Sequence, residues 1–244
     1  MFASFETGLY FTQTGQPVGA TAISFLTSRV NNKKTPANVG DLIKCNRFMG
    51  WARGQLGSEL VLWRSGTNNG ERRHDLHVTA SADASLHTRD GDGNQSGGVL
   101  YLGDGGAFRA QSRRQTLVAN SSTGAEIISA SEILPLSVWS RNFIAYQLGE
   151  EQLPATIEQD NMSAIKLEHV GRSRSDKTRW LHYRFFFIKS FIDQGEIKVV
   201  YTPTDQISAD LMTKPVQGAA FKRHAKEFML GKNRAHVFYI THHH

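Results

Sequence analysis

Four acidic side chains, each set in its own short motif, are the residues of this sequence best suited to chemistry. They are Asp83 in ASADASLH, Glu126 in SSTGAEIISASE, Asp160 in IEQDNMSAI and Asp210 in ISADLMTKP. If the fold brings four carboxylates together, they cannot all stay ionised without a cation. Hard oxygen ligands suit magnesium or manganese, so the set predicts a divalent-metal site. Each acid taken alone has a structural alternative, as a helix cap or helix-dipole partner.

The composition is that of a globular protein with a basic surface. Of the 244 residues, 39% are hydrophobic and 20% are charged. The formal charge of +6 favours a polyanionic partner, with a merely solubilising surface as the alternative. The single cysteine, Cys45, excludes a disulfide framework and a thiolate zinc cluster. Because no apolar run reaches the length of a membrane span and no signal-peptide pattern is present, we expect an intracellular protein without a membrane partner.

The elements that must position the acids begin after a helical N-terminal segment. Apolar spacing predicts one helix within residues 18–30, and Pro36 suits the first turn of a second helix that stops near Gly54 or Gly57. The Gly- and Asn-rich stretch 65–75 is typical of a linker. We therefore divide the chain into a helical segment at 1–70, a main domain at 71–231 and a tail at 232–244. The terminal histidines 242–244 are left out of the metal-site prediction.

The main domain alternates between strand and helix patterns. Strands are expected in HDLHVTASAD, GGVLYLG, GAFRAQS, PATIEQ and EIKVVYTP, with Gly-rich turns around Gly97 and at 103–106. A helix is expected over 125–146, kinked or split by Pro135, another up to Gly195, and two more at 205–213 and in GAAFKRHAKEFMLG. This order predicts a mixed sheet with helices on both faces. Asp83 and Asp160 would end strands, Glu126 would lie in the first turn of its helix, and Asp210 would lie on a short helix.

Residues 76–217 resemble the ribonuclease H domain of a copia-type LTR retrotransposon Pol polyprotein. The resemblance is carried, in order, by SADAS, SGGVLYL, SSTGAEIISASE, QDNMSAI and ADLMTKP. The preceding residues 22–57 are similar to the thumb or connection stretch that links the reverse transcriptase to that domain. A Tyr-x-Asp-Asp polymerase motif does not occur in the sequence, so we expect no polymerisation activity.

The resemblance implies a ribonuclease H-like fold, a mixed five-stranded sheet flanked by helices, and an activity. The enzyme would hydrolyse the RNA strand of RNA–DNA hybrids during reverse transcription and leave 5′-phosphate products. Asp83, Glu126, Asp160 and Asp210 would be its catalytic, metal-binding acids and would hold two Mg²⁺ ions, or Mn²⁺. Its partners would be the hybrid and the reverse-transcriptase domain of the same polyprotein, in a cytoplasmic virus-like particle or the nucleus. The alternatives are a catalytically decayed module that binds nucleic acid or the polymerase subdomain, and another nuclease or transposase of the superfamily.

Two groups of residues are candidates for contacts with nucleic acid. Ser122, Thr123 and Asn161 stand beside the acids and could hydrogen-bond sugar hydroxyls, with caps and turns as the alternative. The basic run GRSRSDKTRW could contact phosphates, with a solvated face as the alternative. Its cations are Arg172, Arg174, Lys177 and Arg179.

The sequence departs from the family pattern at four places. The family carries acids where Ser85 and Gly124 stand here, from which we expect weakened structure but retained chemistry. Trp180 replaces the family's histidine ahead of the long helix, which leaves His182 as a surface or core residue. Pro135 within a helix is also unusual, and these departures are what the decayed-module alternative rests on.

Overall fold

A central sheet with helices on both faces organises the chain in a computed structural model. The residues described are 2–30, 33, 36–55, 57–58, 60–62, 76–89, 93–172 and 181–231. Within them the strands are β1 Val78–Arg89, β2 Gly93–Leu102, β3 Ala107–Arg114, β4 Ala155–Gln159 and β5 Ile197–Tyr201. They form a five-stranded sheet in the order β3-β2-β1-β4-β5. β1, β2 and β3 pair antiparallel, whereas β4 is parallel to both β1 and β5, so the predicted mixed sheet is confirmed.

Eight α-helices and two short 3₁₀ helices accompany this sheet among the described residues. The 3₁₀ helices are Pro17–Gly19 and Thr204–Gln206. The α-helices are α1 Phe2–Thr14, α2 Ala20–Thr27, α3 Val39–Gly54, α4 Ser122–Leu148, α5 Met162–Val170, α6 His182–Asp193, α7 Asp210–Thr213 and α8 Gly218–Leu230. None of these helices combines the length and the apolar character needed to cross a bilayer.

Two buried clusters cover the two faces of the sheet. On one face, α4, α5 and α6 supply side chains such as Ile127, Ile165 and Phe185, which pack against the even-numbered positions of β1. On the other face, Val18 and Ala20 of the N-terminal segment pack with Val99 of β2 and Phe228 of α8. Successive side chains of a strand point to opposite faces of the sheet. Because helices cover both faces, side chains that point to either face are buried.

The N-terminal helices therefore cap the sheet. Thr21 in α2 donates a hydrogen bond to the carbonyl of Leu211 in α7. A third cluster, with Ile23, Leu26 and Phe48, joins α2 to α3. Helix α1 was not predicted. Helix α3 begins after Pro36 and not at it, because Asn38 and Asp41 form a reciprocal capping box that fixes the start of the helix. The predicted linker 65–75 and tail 232–244 lie outside the described residues.

Three local predictions were wrong. Pro135 does not split its helix, since α4 runs unbroken from Ser122 to Leu148. Gly97 is in the middle of β2, opposite Asp83, and not in a turn. A methyl group at Gly97 would lie 2.6 Å from Cγ2 of Thr213, so its lack of a side chain lets α7 approach the sheet. Asp83 itself lies within β1, which continues to Arg89 because its hairpin with β2 extends that far.

Candidate active site

The register of the parallel strands brings two of the four acids to the same level. Ser81 of β1 pairs with Glu158 of β4. Asp83 follows Ser81 by two residues, and Asp160 follows Glu158 by two residues. β4 ends at Gln159, so Asp160 leaves the sheet beside Asp83 while β1 continues. Such an edge, where parallel strands end, is where ligand sites gather in sheets of this kind.

Helix α4 adds the third acid. The Ser129 hydroxyl donates to the carbonyls of Asp83 at 2.7 Å and Gly97 at 3.1 Å, which ties the helix to the sheet. Glu126 lies one turn before Ser129 on the same helix face, and its Oε1 accepts from the Ala84 amide at 3.3 Å. Since α4 begins at Ser122, Glu126 occupies the second turn and not the predicted first turn.

These three carboxylates form a compact cluster. One ligand oxygen from each of Asp83, Glu126 and Asp160 lies within 4.8 Å of the other two. Asp83 and Glu126 are buried, while Asp160 is half-buried and accepts a hydrogen bond from Thr204 at 2.7 Å. Oε2 of Glu126 is buried without a hydrogen-bond partner among the described residues. A buried, unsatisfied carboxylate oxygen is costly unless a further group satisfies it.

Helix α7 places the fourth acid at the margin of this cluster. Asp210 is the first residue of α7, and its Oδ1 lies 2.5 Å from Nζ of Lys214. The same ammonium is 3.7 Å from Oδ2 of Asp83, which also accepts a hydrogen bond from Thr213. Asp210 is therefore linked to the other acids through Lys214 and does not belong to the compact three-carboxylate group.

The charges of the cluster perturb one another. Burial raises the pKa of Asp83 to about 7, Lys214 opposes the rise, and Asp210 adds to it. Burial, followed by the charges of Asp83 and Asp160, raises the pKa of Glu126 well above its usual range. Burial alone would lower the pKa of Lys214, but Asp83 and Asp210 outweigh it and raise that pKa. The described protein groups thus supply less positive charge than the carboxylates need to ionise at their usual pKa values.

The donor set suits a hard divalent cation. Three carboxylates offer oxygen ligands only, which favours Mg²⁺ or Mn²⁺ over softer metals. The unsatisfied Oε2 of Glu126 and the raised pKa values of Asp83 and Glu126 mark the places where a cation would relieve the electrostatic cost. The cluster could therefore hold a divalent metal ion.

The residues predicted to contact nucleic acid lie at different distances from the acids. Ser122 and Thr123 lie in the first turn of α4, on the chain just before Glu126, while Ser121 is the residue that caps the helix. Asn161 follows Asp160, and its Oδ1 caps α5 by accepting from the amides of residues 163 and 164. The capping role that we named as the alternative is thus present at Asn161.

Arg172 is exposed beyond the far end of α5. The nine residues of that helix separate Arg172 from Asp160 by roughly 14 Å along its axis. Arg174, Lys177, Arg179 and Trp180 lie outside the described residues, and of His182 only the backbone, at the start of α6, is described. Phosphate contact by the basic run stays a prediction.

Two polar residues of the site were missed in the sequence. Thr213 and Lys214 belong to the ADLMTKP motif, yet only its aspartate was selected. The available signal was spacing, because Lys214 follows Asp210 by four residues, a separation that lets oppositely charged side chains meet on a helix. Ser85, which stands where the resemblance would place an acid, has a structural role here. Its hydroxyl donates a hydrogen bond to the Thr213 carbonyl at 3.1 Å.

Comparison with curated proteins identifies the relatives of the chain, although no protein-family model matches it. It is 32% identical over 127 residues to the Retrovirus-related Pol polyprotein from transposon TNT 1-94 of Nicotiana tabacum, covering 52% of this chain and 9% of that protein. It is 25% identical over 148 residues to the Truncated transposon Ty1-A Gag-Pol polyprotein of Saccharomyces cerevisiae, covering 61% and 12%. The chain spans about a tenth of the length of these relatives. Its homologues are retrotransposon Pol polyproteins, so the predicted resemblance is confirmed.

Solved structures similar to the chain include ribonucleases H and a retroviral polymerase. RNase H1 from Halobacterium salinarum NRC-1 has a TM-score of 0.40 and 17% identity, covering 56% of this chain and 94% of that one. The foamy viral protease-reverse transcriptase in complex with RNA/DNA hybrid has a TM-score of 0.45 and 11% identity, covering 88% and 26%.

Proposed function

We propose that this chain is a metal-dependent endonuclease that hydrolyses the RNA strand of RNA–DNA hybrids during retrotransposon reverse transcription. The observation that carries the proposal is the cluster in which oxygens of Asp83, Glu126 and Asp160 lie within 4.8 Å of one another. Three residues from separate elements have no local reason to converge on such a costly arrangement of like charges. The similarity to Pol polyproteins supports a hybrid as the substrate.

In this proposal Asp83, Glu126, Asp160 and Asp210 would hold two divalent cations, with Mg²⁺ as the natural ion. When bound, the cations would supply Lewis-acid activation of water and neutralise charge that develops on the scissile phosphate, leaving 5′-phosphate products. The fourth acid, Asp210, would join the site once Lys214 turns away from the 2.5 Å contact that it makes now.

The chain's own residues hold the reacting groups in place. Thr213 donates to Asp83, Thr204 donates to Asp160 and the Ala84 amide donates to Glu126, so each carboxylate of the cluster has one oxygen held by the protein. Carboxylates held in this way need little reorganisation during the reaction. Buried α4 and β1 behind them keep bulk water to one side of the cluster.

Selection of the RNA strand would fall to polar groups beside the acids. Ser122 and Thr123 at the start of α4 can reach towards a 2′-hydroxyl, which distinguishes RNA from DNA. The Oδ1 atom of Asn161 caps α5, and among the described residues its side-chain nitrogen donates no hydrogen bond, so that nitrogen could serve the same task. Arg172, with Arg174, Lys177 and Arg179, would hold phosphates further along the duplex.

The protein would act beside the reverse-transcriptase domain of the same polyprotein, in a cytoplasmic virus-like particle or the nucleus. Among the described residues, the 3₁₀ helix Pro17–Gly19 and helix α2 pack on the sheet ahead of β1, where this N-terminal segment would connect the nuclease to the polymerase. This chain matches only 9% of the related Pol polyprotein, so the proposal concerns the nuclease step alone.

The test is cleavage of a labelled hybrid by the 244-residue chain in Mg²⁺. We expect cleavage of the RNA strand with 5′-phosphate ends, its loss in a chelator, and its loss in Asp83→Asn. Asp193→Asn removes an exposed acid that pairs with Lys189 on α6, so this matched control should cleave normally. Cleavage that survives both the chelator and Asp83→Asn would contradict the proposal.

One contact favours a second candidate, a catalytically decayed module that only binds nucleic acid or the polymerase subdomain. The ammonium of Lys214 lies between Asp83 and Asp210 and supplies an internal countercharge, so the fold can form without metal. Hybrid binding without cleavage, together with no thermal stabilisation by Mg²⁺, would favour this candidate over the enzyme.

A further inference from the structure

A cavity of about 800 Å³ separates the N-terminal helices from the catalytic unit. Residues of α2 and α3, including Phe25 and Trp51, form one wall. The other wall is formed by α7 and the segment that follows it, including Val216 and Phe221. A cavity of this volume can hold a ligand of several rings, and the three clustered acids Asp83, Glu126 and Asp160 are not among its described lining residues.

The rim of this cavity is strongly cationic. Five basic side chains line it: Arg29, Lys44, Arg47, Arg114 and Lys214. Asp41 is the one acid among the described lining residues. Its carboxylate accepts a hydrogen bond from the Asn38 amide at the cap of α3, and it forms ion pairs with the Lys44 ammonium at 3.6 Å and the Arg29 guanidinium at 3.9 Å. Lys44, Arg47 and Arg114 are exposed, so their charges face the solvent and any ligand at the rim. The potential at the rim favours a polyanion.

The floor of the cavity is aromatic. Phe25, Trp51 and Phe221 line it and are half-buried, and Trp51 also packs against the rings of Phe11 and Phe48. A duplex keeps its bases stacked on one another and offers such rings little. An unpaired strand can stack its bases on aromatic side chains while basic residues hold its phosphates. Cations around an aromatic floor are therefore the chemistry of a single-strand site.

The cavity and the acidic cluster share one residue. Lys214 lines the cavity, and its ammonium contacts Asp210 at 2.5 Å and Asp83 at 3.7 Å. A strand whose phosphate lies at the acids would therefore pass into the cavity within the length of one lysine side chain. This continuity favours the nucleic-acid substrate over a separate acidic peptide as the occupant.

We propose that this cavity binds an unpaired strand that continues from the hybrid beyond the cleavage site, with its bases on the aromatic floor and its phosphates on the basic rim. The inference rests on the proposed function, which supplies the hybrid. It gives the N-terminal helices a direct part in substrate binding, since α2 and α3 contribute four of the residues that would contact the strand: Phe25, Lys44, Arg47 and Trp51.

The test compares a blunt hybrid with hybrids of equal duplex length that carry an overhang of about six nucleotides on either strand, within the span of known single-strand sites. Fluorescence anisotropy in a chelator measures binding of the 244-residue chain without cleavage. We expect one overhang polarity to tighten binding about tenfold, a gain that Arg47→Glu removes and Phe221→Ala reduces. Arg53→Glu changes an exposed arginine of the same helix outside the cavity lining, and it should keep the gain.

Three results would overturn the inference. Equal affinities for blunt and overhanging hybrids would remove the unpaired strand as the ligand. Equal losses in Arg47→Glu and Arg53→Glu would reduce the effect to general charge. The inference would also be contradicted if neither single-stranded DNA nor single-stranded RNA displaced a prebound overhang. Failure of the proposed function is separate, because it is seen as absent cleavage in Mg²⁺ while the overhang gain in the chelator persists.

Discussion

Replacing Asp83 by asparagine should stabilise the metal-free protein while abolishing its use of metal. Burial raises the pKa of Asp83 from 3.8 to about 7, so ionising this residue costs the folded state free energy. A difference of roughly three pH units corresponds to about 4 kcal/mol at pH 8. Asparagine keeps an oxygen that can accept the Thr213 hydrogen bond but carries no charge.

The pH dependence of this effect has a definite sign. The folded wild-type protein keeps a proton on Asp83 that the unfolded chain releases near pH 4. Between about pH 4 and 7 the wild type therefore loses about 1.4 kcal/mol of stability per pH unit relative to the variant. Below that window the two proteins should be equally stable, and above it the difference should be constant.

Urea unfolding in a chelator at about pH 4, 6 and 8 measures the difference directly. Asp193→Asn, which removes an exposed carboxylate, should change stability by no more than about 0.5 kcal/mol at every pH. Adding Mg²⁺ at about a hundred times its Kd should stabilise the wild type by about 2.7 kcal/mol and the variant much less. A variant that is no more stable than the wild type at pH 8 in chelator would refute the electrostatic account of the cluster.

Three further predictions follow from the same geometry. Mg²⁺ should bind at least tenfold more tightly at about pH 8 than at pH 6, with proton release seen by calorimetry in two buffers, because the pKa of Asp83 is about 7; pH-independent binding would contradict this. Lys214→Met should cost about 1–2 kcal/mol in chelator and less in Mg²⁺, measured by denaturation, because the cation replaces the lost ammonium; an equal cost in both conditions would exclude that exchange. Gly97→Ala should cost about 1–3 kcal/mol by pressing on Thr213, whereas Gly50→Ala, whose added methyl meets nothing within 4 Å, should be neutral or stabilising.

Much of the secondary structure could be read from local pattern. β4 ends at Gln159 as predicted, β5 ends at Tyr201, two residues before Pro203, and Gly195 stops α6 with a positive φ of 71°. That Pro135 does not split α4 has a tertiary reason. α4 is buried along most of its length by the sheet, α5 and α6, and this packing outweighs the loss of one backbone hydrogen bond.

The acids themselves were visible in the sequence because each has a distinctive local surround. Their convergence was not, because it depends on the register of β1 against β4 and on the hydrogen bonds that Ser129 makes to the carbonyls of Asp83 and Gly97. The chain alone also could not rank the four acids. The four-residue spacing already allowed Asp210 to meet Lys214, whereas only the packing of α7 decided that Asp210 stands apart from the other three acids.

The sequence by itself determined the chemical types of the site, the order of its strands and the retrotransposon relationship, since these depend on residue identity and short-range spacing. The tertiary structure alone decided where the N-terminal helices go and that a cationic, aromatic cavity opens between them and α7. The physical reason is that burial, pKa shifts and cavities arise from atoms that are distant in the chain. No local pattern records which of those atoms will be neighbours.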